Sequence, residues 1–221
     1  MDIIGVIFDF NGTMLFDRIY HLAAWKCCVE DLTLRKLSEE DVLQHIDGKG
    51  PKEILPYFLG DELTEPMIHQ FAEEKERIYR SMLVKEHPEP APGLVTFLDY
   101  LKGAGIPMAI ASSAPIENMN LYYDQYELFR WFDWDHILNA SADLPAKPHP
   151  ALYQAAVKIV GIPADRCLVF EDASVGIRAA YAAGIRSIVH VVSDMPEPEA
   201  MTEEDRRGII CTIHDYTELK P

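Results

Sequence analysis

An apolar run, Ile3-Ile4-Gly5-Val6-Ile7-Phe8, ends in Asp9-Phe10-Asn11-Gly12-Thr13. It reads as a buried strand that delivers the Asp9 carboxylate at its C-terminal end, with Gly12 permitting a sharp turn or a close approach of backbone to ligand. In open α/β sheets that edge is where ligands bind. A carboxylate there can attack an electrophile or hold a metal. Three further strand ends or loops carry polar groups: Ser112-Ser113 after Ile110-Ala111, Lys147 before Pro148 and a helix, and Glu171-Asp172 after Phe170. Each has a plainer reading. Asp9 could cap a turn, Ser112 could cap the next helix, and Lys147 could be a solvated loop residue. A carboxylate at the end of a buried run is costly without a partner, however, and two such runs end in acids.

The elements that must position these groups alternate along the chain. A helical block follows Thr13: a helix from near Asp17 through Cys28, then Glu39–Ile46, Lys52–Leu59 and Glu65–Val84, uninterrupted by a strand pattern. Pro88-Glu89-Pro90-Ala91-Pro92-Gly93 is a stiff, turn-rich segment suited to a domain crossing. Beyond it, helices at Leu94–Lys102, Ile116–Tyr123, Pro150–Val160 and Ser174–Ala183 alternate with strands at Pro107–Ala111, His136–Leu138, Cys167–Phe170 and Ser187–Val191. The expected fold class is α/β: a Rossmann-like parallel sheet with helices on both faces, plus an inserted all-helical cap. Residues 1–14 and 90–221 form the core and 15–89 the cap, which would sit over the C-terminal edge of the sheet and act as a lid.

Composition excludes several function classes. The chain has 221 residues, 48% of them hydrophobic and 25% charged, as in an ordinary globular protein. No apolar stretch reaches the roughly 18–20 residues of a membrane helix, so no membrane partner is expected. The N-terminus enters a strand pattern directly, which makes a cytoplasmic location the expectation. A formal charge of −16 repels phosphate backbones and argues against nucleic acid. It does not exclude an anionic small substrate, because a divalent cation reverses the sign locally. Cys27, Cys28, Cys167 and Cys211 lack paired zinc-ligand spacing and read as buried or incidental thiols.

The four polar points, taken in order, resemble the haloacid dehalogenase (HAD) superfamily of phosphotransferases and phosphatases. Within it the chain is most similar to the β-phosphoglucomutase-like group with a helical cap. Its first motif matches Asp9-Phe10-Asn11-Gly12-Thr13, its second Ser112, and its third Lys147 in Lys-Pro-His-Pro-Ala-Leu-Tyr. Its fourth matches Glu171-Asp172, continued by Gly176-Ile177-Arg178-Ala179-Ala180. The resemblance implies a magnesium-dependent phosphoryl transfer, and the chemistry agrees with it. An in-line nucleophile and neutralisation of the equatorial oxygens are what that reaction needs. Asp9 would form an aspartyl-phosphate. Mg2+ would take Asp9, Asp172 and the backbone carbonyl of Asn11, with Glu171 on the metal or orienting its water. Ser112, with Ser113, would bind the phosphoryl group, and Lys147 would supply a compact positive charge.

Residue 11 departs from the family pattern. The resemblance places an Asp there to protonate the leaving oxygen and then activate water, whereas Asn11 cannot exchange a proton near neutral pH. Such help is typically worth about 10²–10⁴-fold in rate. Several readings stay open: a slow or specialised phosphatase, another acid such as Asp17 or His21, a binder that has lost turnover, or a substitution introduced to trap the phospho-enzyme.

The cap bears on substrate. Tyr20-His21-Leu22-Ala23-Ala24-Trp25-Lys26 resembles the mutase's first cap helix, which gives His21 a role in proton handling near the site. Asp47-Gly48-Lys49-Gly50-Pro51-Lys52 aligns with its sugar-phosphate loop, but Asp47 and Pro51 stand where that loop has basic residues. Only Lys49 and Lys52 remain to touch a phosphate, which counts against a bisphosphorylated sugar intermediate. The expectation is a HAD-like phosphohydrolase acting on a small phosphorylated metabolite, as a monomer or weak dimer. A phosphosugar mutase and a catalytically weakened phosphate-ligand binder are the alternatives.

Overall fold

Strands that are buried on both faces of a parallel sheet read as continuous apolar runs, and four segments of this chain do so. In a computed structural model, which describes residues 4–193 and 201–219, Gly5–Phe8 (β1), Met108–Ser112 (β2), Cys167–Glu171 (β4) and Ser187–Val191 (β5) are buried almost throughout. They join Ile137–Asn139 (β3) and Ile209–Ile213 (β6) in a sheet of order β3-β2-β1-β4-β5-β6. All neighbouring pairs are parallel. The chain runs outward from β1 in one direction and from β4 in the other. The topological switch therefore falls between β1 and β4, the two strands that end in Asp9 and Glu171.

Alternation along the strands sends two sets of side chains to opposite faces. Ile7, Ala109, Val169 and Ile188 pack with Leu152, Tyr153 and Ala156 of helix α7 (Ala151–Val160) and with Ile177 and Ala180 of α8 (Ser174–Ala182). On the other face the rings of Phe8 and Phe170 stack with centroids 5.1 Å apart. Phe97 of α5 (Leu94–Gly103) meets Phe170 edge-on at 5.4 Å, and Tyr216 lies 5.2 Å from the same ring. Helix α6 (Ile116–Gln125) follows β2.

Asp17–Pro88 forms a second compact unit, set apart from the segments on either side. It consists of α1 (Arg18–Thr33), α2 (Glu39–His45), α3 (Pro51–Leu59) and α4 (Glu65–Glu86). Trp25, Val29, Leu37, Ile46, Ile54 and Leu55 make its core. Ser38 and Asp41 cap α2 reciprocally: the Asp41 N–H donates to Ser38 Oγ and the Ser38 N–H to Asp41 Oδ2, both at 3.0 Å. Pro51 starts α3 where its missing N–H costs nothing.

Two boundaries differ from the sequence expectation. The helical unit begins at Asp17 rather than residue 15, because the turn after β1 folds back on itself. Met14 N–H bonds Phe10 O and Gly12 N–H bonds Leu15 O, both at 2.8 Å, and Ala91 N–H donates to Met14 O at 2.9 Å. Glu89 likewise belongs with the sheet. Strand β6 has no counterpart in the sequence reading. The run Ile209-Ile210-Cys211-Thr212-Ile213 is apolar and β-branched but short, and only Ile213 of its five residues is buried; backbone pairing with β5 defines it.

Candidate active site

Parallel pairing aligns the strand ends and so brings the polar groups together. Phe8 is in register with Ile110 and Phe170, and the Asp9 N–H donates to Phe170 O at 2.9 Å. Lys147, from the loop before α7, reaches the same edge. Its Nζ donates to Asp9 Oδ1 and, at 3.1 Å, to Glu171 Oε1. The Lys147 ammonium also sits 4.9 Å from the ring centroid of Tyr153. Asp9, Glu171 and Asp172 each place a carboxylate oxygen within 4.8 Å of the others.

Two glycines make room for this cluster. Gly12 has φ +76°, and a Cβ there would lie 2.0 Å from Asp172 Oδ2. The close approach inferred from sequence is thus made to a carboxylate of the protein itself. A Cβ on Gly176 would fall 1.2 Å from Glu171 Oε1, so the first turn of α8 can pack on that acid only without a side chain. Thr13 Oγ1 donates to Asp172 Oδ1 at 3.4 Å, and His190 Nε2 bonds Asp172 O at 3.1 Å.

The electrostatics are those of crowded acids. Burial, then the charge of Glu171, pushes Asp9 up to about 7 against the opposing pull of Lys147. Burial and the charges of Glu171 and Asp9 raise Asp172 well above the ordinary carboxylate range. Burial works against the Lys147 charge, but Asp9 and Glu171 outweigh it and hold the ammonium well above its usual value. Three carboxylates against one ammonium leave an excess of negative charge that a hard divalent cation with oxygen ligands matches. The residues present therefore fit Mg2+.

Asn11 stands beside this cluster in the same loop. Its Nδ2 donates to Tyr122 Oη at 2.8 Å, and Ser112 Oγ approaches its Oδ1 at 3.5 Å. Ser112 does not cap α6, whose N-cap is Pro115; its Oγ accepts the Ala114 N–H at 3.1 Å instead. Proline supplies no side-chain acceptor, and a turn two residues after the strand meets the serine first. Ser113 Oγ accepts the Lys147 N–H at 3.2 Å, which ties the second strand-end loop to the third.

The three residues expected in the helical unit are engaged within it. His21 stacks on Tyr79 with centroids 3.9 Å apart, and its Nε2 lies 3.5 Å from Asp17 Oδ2. Its Nδ1 accepts from Lys75 Nζ at 2.7 Å. Lys49 Nζ donates to Gln44 O, and Lys52 pairs with Glu65 at 2.8 Å on the surface. Sequence reasoning missed Arg18, whose guanidinium grips the buried Asp47 carboxylate through Nε at 2.9 Å and through Nη2. The loop whose sequence offers only Lys49 and Lys52 thus also holds a cation brought from α1. It also missed Lys75, which is 4% exposed, has its charge disfavoured by burial, and lies 5.6 Å from Trp25 and 5.5 Å from Tyr79. Tyr122 and Tyr153 escaped notice because helical periodicity marks them only as core.

A doubly wound parallel sheet with an acidic cluster at its switch point, and a helical unit inserted after the first strand, defines a class of hydrolase built around an aspartate at the sheet edge. The chain belongs to the haloacid dehalogenase-like hydrolase family, whose model matches residues 3–184. It is 32% identical to a HAD hydrolase of family IA, variant 3, from Entamoeba histolytica, with a TM-score of 0.86 over 98% of this chain and 95% of that one. It is 28% identical over 207 residues to the phosphorylated carbohydrates phosphatase of Thermotoga maritima, covering 90% of each chain. The fold also matches that of CbbY from Rhodobacter sphaeroides, solved with phosphate, at TM-score 0.76 and 21% identity over 98% of this chain and 96% of that one.

Proposed function

We propose that this protein is a magnesium-dependent phosphohydrolase that moves the phosphoryl group of a small phosphorylated metabolite to Asp9 and then to water. The observation that carries the reading is the meeting of Asp9, Lys147, Glu171 and Asp172 at the switch point of the sheet. The Thermotoga phosphatase adds support from a relative that acts on phosphorylated carbohydrates.

In this reading an Asp9 carboxylate oxygen forms a bond to phosphorus as the ester P–O bond breaks, and the electron pair leaves on the alcohol oxygen. Water then attacks the aspartyl-phosphate, which restores the carboxylate and releases phosphate. Lys147 opposes the negative charge of the equatorial oxygens, favours the ionised form of Asp9 against its burial, and aims it. Ser112 donates to a phosphoryl oxygen, and Ser113 holds the Lys147 backbone. Asp9, Asp172 and the backbone oxygen of Asn11 would hold Mg2+, with Glu171 beside them; when bound it neutralises acids and phosphoryl oxygens alike. Asn11 neither gives nor takes the proton, so leaving groups that depart as stable anions react best.

The test is a panel of sugar, polyol and glycolate phosphates assayed for free phosphate with Mg2+ and with a chelator. Magnesium-dependent release from at least one ester is expected. Isomerised sugar phosphate in place of free phosphate would make the protein a mutase. Tight ligand binding with no release from any ester would make it a binder.

A further inference from the structure

A polar contact beside the nucleophile is not itself required by the transfer chemistry. Tyr122, on α6, is fully buried, and its Oη accepts from Asn11 Nδ2 at 2.8 Å across 111 residues of sequence. The Tyr122 ring stacks on Phe10 at 4.1 Å with an interplanar angle of 11°. The residue between Asp9 and Asn11 is therefore gripped by the same side chain that bonds Asn11. On its other side Asn11 presents Oδ1 to Ser112 Oγ, whose acceptor capacity is already turned to the Ala114 N–H.

We propose that Tyr122 is a positioning residue: its hydroxyl holds the Asn11 carboxamide, and through it the Ser112 hydroxyl, in one arrangement at the sheet edge. The inference rests on the reading of Ser112 as a phosphoryl contact. A carboxamide donates and accepts at once, whereas an ionised carboxylate only accepts. Asn11 can therefore donate a hydrogen bond to Tyr122 and accept one from Ser112 at the same time. A hydroxyl as deeply buried as that of Tyr122 needs a partner, and the amide at residue 11 provides it. Position 11 in this chain is thus an orienting amide that sets the direction of the Ser112 O–H before phosphate arrives. When phosphate binds, that proton turns to a phosphoryl oxygen over a short rotation of an already placed group.

The full-length protein with Mg2+ and p-nitrophenyl phosphate tests this, because that leaving group needs no protonation. Tyr122→Phe removes only the oxygen and keeps the stack on Phe10, and a thermal melt checks the fold. It should lower kcat about 2–10-fold, the worth of one hydrogen bond, with KM nearly unchanged. In an Asn11→Ala background the same change should alter kcat by less than about twofold. Equal losses in both backgrounds would overturn the proposal, since Tyr122 would then act through packing alone. A second readout does not depend on turnover: the Asn11 side-chain NH2 signals, identified by their loss in Asn11→Ala, should move and exchange faster with solvent in Tyr122→Phe. Unchanged signals would overturn the proposal too. If no phosphate is released but the signals do move, the hydrolytic reading fails and the orienting role stands, read then as weaker binding of inorganic phosphate by Tyr122→Phe.

Discussion

A Cβ placed on Gly12 would lie 2.0 Å from Asp172 Oδ2, so the loop that carries Asp9 and the loop that carries Asp172 fit together only while residue 12 has no side chain. The backbone there is also left-handed, at φ +76°, which costs an L-residue about 1–2 kcal/mol. Gly12→Ala should therefore destabilise the protein by at least that amount and displace an acid of the cluster. Magnesium affinity, measured by titration calorimetry, should fall about 10–100-fold. Wild-type affinity in the variant would show that Asp172 is not needed at that place.

Asp9→Asn should abolish phosphate release and stabilise the metal-free fold above neutrality. Asp9 is raised from 3.8 to about 7, by burial first and by Glu171 second. An acid raised in the folded state contributes stability that is present below its unfolded value and lost as pH rises through its folded value. The wild type thus loses its Asp9 contribution between about pH 4 and 7. Denaturant melts with chelator should show a gain for the variant of the order of a few kcal/mol at pH 8, shrinking toward pH 4. A gain that grows on acidification would reverse the assignment.

Lys147→Met should leave three buried carboxylates without their ammonium. Removing the cation that offsets a buried cluster of acids costs about 3–5 kcal/mol, because the remaining charge is uncompensated. The Lys147 side chain is 4% exposed, so water offers little relief. The loss should be largest without metal, and Mg2+ should recover part of it. Denaturation midpoints with and without Mg2+ measure both effects; equal midpoints for variant and wild type would mean the cluster is hydrated rather than buried.

Asn11→Asp should raise release from alkyl phosphates by up to about 10²–10⁴-fold while changing p-nitrophenyl phosphate hydrolysis far less, because only a poor leaving group needs the proton. The Tyr122 hydroxyl can donate to the new carboxylate, so the contact survives with its polarity reversed. The same gain on both esters would trace the change to phosphate binding instead.

Much of the fold was legible because its signals are local. Apolar runs of five or six residues, Pro-Gly punctuation and the 3.6-residue period place α1–α8 and five of six strands within a few residues. The sixth strand was not, although Ile209–Ile213 is an apolar, β-branched run: it is short, and only its pairing with β5 places it at the sheet edge. Within the site, Asp9, Glu171 and Asp172 stood out as charges at the ends of buried runs, where physics demands a partner, while Lys147, in a loop, stood out only through the resemblance of its motif. Tyr122 and Tyr153 did not, because a phenol on a helix face looks like packing until the Tyr122 oxygen is seen on Asn11 and the Tyr153 ring beside Lys147. The partner of Asp47 was equally out of reach of local reading, because Arg18 lies 29 residues away.

The sequence by itself determined which groups could react, that one position offers an amide where the family offers an acid, and that parallel strands would carry the groups to one edge. Only the tertiary structure decided who meets whom. Strand order set β1 between β2 and β4, two missing side chains let the acids close to within 4.8 Å, and α6 laid Tyr122 on Asn11. The reason is physical: a residue type sets the charge and hydrogen-bonding capacity of a group, whereas its pKa and partners depend on the burial and neighbours that long-range packing alone supplies.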